Sequence, residues 1–309
     1  MKNIFIFSSI IAFTLLSCNK VNNAYPVQTY TGGLDPTLYP GNITDYVAPT
    51  FSPNTNINRN VLIEDFTGHT CIFCPDAAAV AHNTEMANPG RVFVSTLHTG
   101  PTYNVLPNSF QSTSSPYYEY DFTNSVSSQI GGFFGELPGN GFLGNPSGNV
   151  SRFESTSGQI SLDKNEWANK ANSIISANDL RVNLQTIVNY FPSTNGAFIH
   201  IEVDPVIPIT NELRLVVAFY EDSIVKPQKD WQLGDIQDYV HRDLLKFHIN
   251  GDMNGQKISD DNLDANGKYY YDYSLAIPSQ YTAENSHLLI YVFDQVTHEV
   301  YQVIKKKFI

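Results

Sequence analysis

Cysteine is scarce in this chain: three residues in 309. That excludes a disulfide framework, so the fold must rest on its own apolar core. Positive charge is scarce too, with 18 lysines and arginines against 30 aspartates and glutamates and a net charge of −12. Such a chain lacks the electrostatic footprint of a protein that binds nucleic acid or an anionic lipid surface. After the N-terminal segment, no apolar run is long enough to cross a bilayer as a helix. Phosphate-binding loops, serine-hydrolase signatures and internal repeats are also missing, and no motif calls for a cofactor.

The N-terminus sets the expected compartment. Lys2 is followed by an apolar stretch from Ile4 to Leu16, closed by Leu15-Leu16-Ser17-Cys18. This is a secretory signal layout, too short for a stable transmembrane helix. Its last four residues resemble a bacterial lipobox, in which the cysteine is lipidated and becomes the first residue of the mature chain. The expectation is a lipid anchor on Cys18, with several acyl chains, since one alone holds only marginally. Cleavage before Cys18 removes Lys2 as the one charged residue and takes the net charge to −13.

Residues 18–60 have no sustained period of two or of 3.6 and read as a tether, although their tyrosines and Phe51 are unusual in a free linker. Order begins at Val61-Leu62-Ile63-Glu64-Asp65-Phe66, a short apolar run typical of a buried strand. A helix-forming stretch after Pro75 ends at Asn88-Pro89-Gly90, and Arg91–Leu97 reads as a second strand. Strand, helix, strand makes a βαβ unit with parallel strands. Residues 100–145 are irregular and aromatic, an insertion with a short helix near Phe122 to Ile130. Val150–Phe153 is a candidate strand. Asp163 opens a capping box before a helix that carries Trp167, Ala171 and Ile174 on one face. From 179 to 309 the texture changes to seven alternating segments separated by turn signals, among them Leu180–Tyr190, Glu212–Glu221 and Tyr239–Ile249. The expected architecture is an α/β domain at 61–178, followed by an all-β antiparallel sandwich of immunoglobulin type.

The chemistry centres on Cys71-Ile72-Phe73-Cys74, a C-x-x-C beside a βαβ unit. A thiolate is the nucleophile of disulfide exchange and needs a feature that lowers its pKa. The predicted helix N-terminus supplies one for Cys71. Cys71 is therefore the expected attacking thiol, facing the loop. Cys74, one turn along and facing the interior, is the resolving thiol. His69 is a weaker candidate for steadying a thiolate, since a loop histidine is more often solvated.

The strand, loop and cysteines resemble the active-site segment of the thioredoxin superfamily. That resemblance implies a buried acid at Asp65 as proton acceptor for the resolving thiol. It also implies a cis-proline at Pro146, within Gly144-Asn145-Pro146-Ser147-Gly148. The departures are Thr70 in place of tryptophan before the first cysteine, and Ile72-Phe73 between the cysteines. The whole segment Val61–Pro75 further resembles the hallmark of the twenty-eight-kilodalton outer membrane protein family. Weaker similarity extends to Arg152, Trp167, Glu221–Val225 and His241–Leu245. The resemblance implies an outer-membrane location, with the periplasmic face favoured because Asn19–Asn23 carries no acidic export signal.

Two functions fit. One is thiol–disulfide exchange on cysteine-containing envelope proteins. The other is a non-catalytic binding or structural lipoprotein with a static Cys71–Cys74 bond, as an oxidising compartment permits. Metal capture by the two thiolates with His98 lacks a second metal-spaced pair. His241, His248, Asp260, Asp261 and Asp264 do not make a metal site either. Asp252–Gly255 lacks the closing glutamate of a calcium loop and reads as a turn. No metal is expected.

Overall fold

The structure is a computed structural model that describes residues 33–99, 110, 111, 113, 114, 116–136, 139, 144–155 and 158–309. The signal segment, Cys18 and much of the expected insertion lie outside the described residues.

β1 (Val61–Thr67) is buried along its whole length, its Glu64, Asp65 and Thr67 included. α1 (Cys74–Ala87) crosses to β2 (Val92–His98), which pairs with β1 in parallel from Val61↔Val92 to Thr67↔His98. Pro75 occupies the first turn of α1, where a missing N–H costs little. After α2 (Ser125–Glu136), β3 (Ser147–Val150) runs antiparallel to β1, and β4 (Ser161–Leu162) pairs with β3. The expected strand at Val150–Phe153 thus ends where it was to begin, because Ser151 and Arg152 both adopt φ of 49° and turn the chain out of the sheet. α3 (Lys164–Ala177) is capped by Asp163, whose carboxylate accepts from the Asn165 N–H. α1 and α3 cover one face of β1 and β2 through Ala77, Ala81, Trp167, Ala171 and Ile174. Gly148 is the pivot of that packing: a Cβ there would lie 2.5 Å from both the Glu64 carbonyl and the Trp167 ring.

β5 (Val182–Phe191), β6 (Gly196–Pro205) and β7 (Leu213–Glu221) begin the second half. Short strands follow: β8 (Ile224–Val225), β9 (Gln228–Asp230), β10 (Gly234–Ile236) and β11 (Val240–His241). β12 (Leu244–His248), β13 (Gln256–Lys257), β14 (Tyr269–Ala276), β15 (Ser286–Asp294) and β16 (Val300–Lys307) complete the chain. The single strand expected at Tyr239–Ile249 is broken into β11 and β12 at Asp243, where φ is 48°.

The two halves share one sheet. Its order is β16-β15-β7-β12-β2-β1-β3-β4, and the link is a parallel pairing of β12 with β2 at Leu244↔Thr96. Leu215, Val217 and Phe219 on β7 face a separate sheet of β14, β6 and β5 across one core. Val216, Ala218 and Tyr220 on the opposite face of β7 join Leu62, Phe66 and α2 in a second core. β7 and β15 are therefore buried on both faces, which is why this second half does not stand apart from the first.

The stretch expected to be a tether is, from residue 33 onward, a packed arm. Asp35 and Asn42 cap two 3-10 turns, at Pro36–Leu38 and Ile43–Asp45. Tyr39 and Tyr46 pack edge-on against Phe191. The Tyr46 hydroxyl lies 2.6 Å from His200 Nε2, and His200 Nδ1 lies 2.6 Å from Asp272 Oδ1. At its end Arg59 Nη2 bonds Glu299 Oε1 at 2.7 Å, and the Asn60 N–H donates to Gln302 Oε1 at 2.9 Å.

Candidate functional site

β1 delivers the chain to the cysteines through the loop 68–70. Gly68 is required there, since a Cβ would meet Phe110 and Gln111 atoms at 2.7–2.8 Å. Cys71 and Cys74 form a disulfide with Cα atoms 5.4 Å apart. α1 starts at Cys74, so Cys71 lies on the turn that leads into it, its carbonyl accepting from the Cys74 N–H.

The cysteines do not face outward. Cys71 is 2% exposed and Cys74 1%, whereas Ile72 and Phe73 between them are 41% and 47% exposed. The outward-facing attacking thiol expected from the sequence is corrected by what lies over the loop. Residues 228–231, in and just after β9, bond to it edge to edge. The Lys229 N–H donates to the His69 carbonyl at 2.8 Å and the Trp231 N–H to the Ile72 carbonyl at 3.1 Å. Gln228 Nε2 donates to the carbonyls of Gly68 and Cys71 at 3.2 and 3.1 Å. Trp231 also bonds Asp76 through Nε1, and its ring lies against Phe73. β9 and β10 form a hairpin, and this hairpin is the strap over the disulfide. Its residues carry no cysteine-directed motif, so nothing in the sequence marks them as part of the site.

Asp65 sits in the C-terminal half of β1, fully buried, and neither carboxyl oxygen has a hydrogen-bond partner among the described residues. Burial alone pushes its pKa up to about 7. Pro146 follows a cis peptide bond from Asn145. β3 pairs Asp65 with Gly148 and Phe66 with Ser147, so the register continues with Pro146 beside Thr67 at the end of β1. Asn145 Nδ2 fixes that loop on the carbonyls of Thr67 and Thr99. The fold thus brings the disulfide, Asp65 and Pro146 to one end of β1.

His69 is not a solvated loop residue. It is buried against Tyr118 and Phe122, with ring centroids 5.3 and 5.6 Å away, and faces His98 at 6.4 Å. His98 is held well below the usual imidazole range by burial and by the neighbouring His241 and His69. Burial lowers His241 to about 4. Both are neutral at physiological pH, and Nε2 of each has no hydrogen-bond partner among the described residues. Among the described residues, no three His, Cys, Asp or Glu side chains are grouped to hold a metal ion.

A cleft of about 420 Å³ opens between α1 and β11. Its walls include Cys74, Pro75, Ala78, His82 and Tyr239, with Asp65, His98 and His241 also lining it. Cys71 is not among its lining residues.

Behind the site, Arg152 forks onto Glu64, with Nε to Oε2 at 2.9 Å and Nη2 to Oε1 at 2.6 Å. Both are buried, and the guanidinium lies over the rings of Phe134, Tyr291 and Phe293. Sequence reading missed this pair.

Three solved structures align with this chain. HBP35 of Porphyromonas gingivalis superposes with a TM-score of 0.60 at 16% identity, covering 82% of this chain and 76% of that one. A protein from Agrobacterium tumefaciens gives 0.47 at 12% identity, covering 81% and 94%. A domain of the outer membrane lipoprotein Omp28 from Porphyromonas gingivalis gives 0.28 at 19% identity, covering 42% and 88%. No curated protein matches the chain. The family model described as outer membrane protein Omp28 matches residues 140–308, more than half of the chain. The chain therefore belongs to the Omp28 family of outer membrane proteins.

Proposed function

We propose that this chain is a lipoprotein, held on the periplasmic face of the outer membrane through Cys18, that exchanges its Cys71–Cys74 disulfide with thiols of the cell envelope. In this reading residues 61–178 are a thioredoxin-like unit and the later strands build a sandwich onto it. The observation that carries the proposal is Asp65. A carboxyl with both oxygens unpartnered is costly to bury. A static clip has no use for it, and an apolar residue there would stabilise the fold. Disulfide exchange does have a use for an acid beside the cysteines that gains and loses a proton near neutral pH. Pro146, placed by the β3 register beside Thr67, supports the same reading.

The second reading, a static disulfide, is favoured by the burial of both sulfurs. One experiment separates them. The oxidised, folded protein is held in dithiothreitol redox buffers and its free thiols are counted by alkylation and mass. Reversible opening, slowed in Asp65→Asn, supports exchange. A bond that opens only in denaturant supports the static clip.

A further inference from the structure

The strap and the cleft treat the two sulfurs differently. Four hydrogen bonds from residues 228–231 run along the loop that carries Cys71, through the carbonyls of Gly68, His69, Cys71 and Ile72. Those carbonyls are the groups an incoming peptide would use to lie beside Cys71, and the strap already occupies them. Cys74 is different. It lines the cleft between α1 and β11, whose volume of about 420 Å³ falls in the range that holds small molecules. A protein loop carrying a cysteine would have to displace the strap, whereas a small thiol enters the cleft with the strap in place.

We infer that the disulfide is opened from the Cys74 side by a low-molecular-weight thiol, with Cys71 as the leaving sulfur. The inference rests on the exchange reading above and names its substrate class. It also reverses the order of attack expected from the sequence. The thiolate of the small molecule forms a bond to Cys74 Sγ, the Cys71–Cys74 bond breaks, and its electron pair goes to Cys71. The proton of the incoming thiol passes to the Asp65 carboxylate and ends on the Cys71 sulfur. A second small thiol attacks the mixed disulfide at the small molecule's sulfur and releases it as a symmetrical disulfide. The products are two protein thiols and one oxidised small molecule. Asp65, His98 and His241 line this cleft with polar atoms that have no hydrogen-bond partner among the described residues.

The test compares reductants on the full oxidised chain, with opening followed by alkylation and mass. 2-Mercaptoethanol is expected to open the wild-type disulfide, and reduced thioredoxin, a protein dithiol, to give no faster opening at equal thiolate concentration. Ala78→Trp fills the cleft from its α1 wall and is expected to slow 2-mercaptoethanol on the order of tenfold. In chains that keep one cysteine of the pair and are treated with hydroxyethyl disulfide, Cys71→Ser is expected to form an adduct on Cys74 at least about tenfold faster than Cys74→Ser forms one on Cys71, the modified residue being read by peptide mass. Faster opening by thioredoxin, preferential labelling of Cys71, or an unchanged rate in a folded Ala78→Trp chain overturns the inference and leaves exchange standing. A wild-type disulfide that neither reductant opens overturns the exchange reading and, with it, this inference. The wild-type comparison needs no variant to fold.

Discussion

Replacing Asp65 with Asn gives the most direct measure of the site. In the folded chain the Asp65 carboxyl has a pKa of about 7, raised by burial from its ordinary 3.8. Near pH 4 folded Asp65 is neutral, and Asn differs little from it in shape and hydrogen-bonding need. Between pH 4 and 7 the unfolded chain releases the Asp65 proton while the folded chain retains it. The wild type therefore loses about 1.4 kcal/mol of stability per pH unit across that window. Above pH 7 both states are ionised and the loss levels off at about 4 kcal/mol. Asp65→Asn escapes this loss. Its stability relative to wild type should rise from near zero at pH 4 to about 4 kcal/mol at pH 8. For a chain of this length that is a rise of about 6 °C in melting temperature. Urea unfolding at pH 4, 5.5, 7 and 8, with the disulfide intact, reads the difference directly. A gap that stays constant across this range refutes the reasoning, because it would mean that Asp65 ionises as freely in the fold as in the unfolded chain.

Arg152→Ala leaves Glu64 buried without its partner and should cost about 3–5 kcal/mol in urea unfolding, while Arg152→Met with Glu64→Leu should recover most of that loss. Gly148→Ala pushes a methyl against the Glu64 carbonyl and the Trp167 ring, and should lower stability by about 1–3 kcal/mol in a thermal melt followed by Trp fluorescence. Tyr46→Phe removes the hydroxyl that meets His200 and Asn189. It should cost about 1 kcal/mol and speed protease cleavage within residues 33–60.

Much of the first half was legible because local signals and tertiary structure agree there. The apolar run at Val61–Phe66, the proline at 75, the capping aspartate at 163 and the face carrying Trp167 each specify their element without help from distant residues. The second half was read as alternating strands of an antiparallel sandwich. On β7, however, the residues between Leu215, Val217 and Phe219 are Val216 and Ala218, which are apolar as well. That double pattern is the mark of a strand buried on both sides, and it foretells the sheet shared with β1 and β2. The strap was not legible at all. Gln228, Lys229 and Asp230 have no apolar period, and two of the strap's bonds to the cysteine loop come from backbone N–H groups that every sequence possesses. The Glu64–Arg152 pair was hidden for a different reason: its members are 88 residues apart, and neither carries a local signal for the other.

The bonds from Arg59 and Asn60 to Glu299, Val300, Gln302 and Val303 fasten the entrance of the first strand to the entrance of the last. Synthesis runs from the N-terminus, so the opening strand must wait for almost the entire polypeptide before its flank is closed. Such long-range closure slows folding. It also means that neither half is a self-sufficient fragment: trimming β16 would strip the cover from Arg59 and Asn60 at the far end of the sequence, and the damage would surface at the entrance of β1 rather than at the cut.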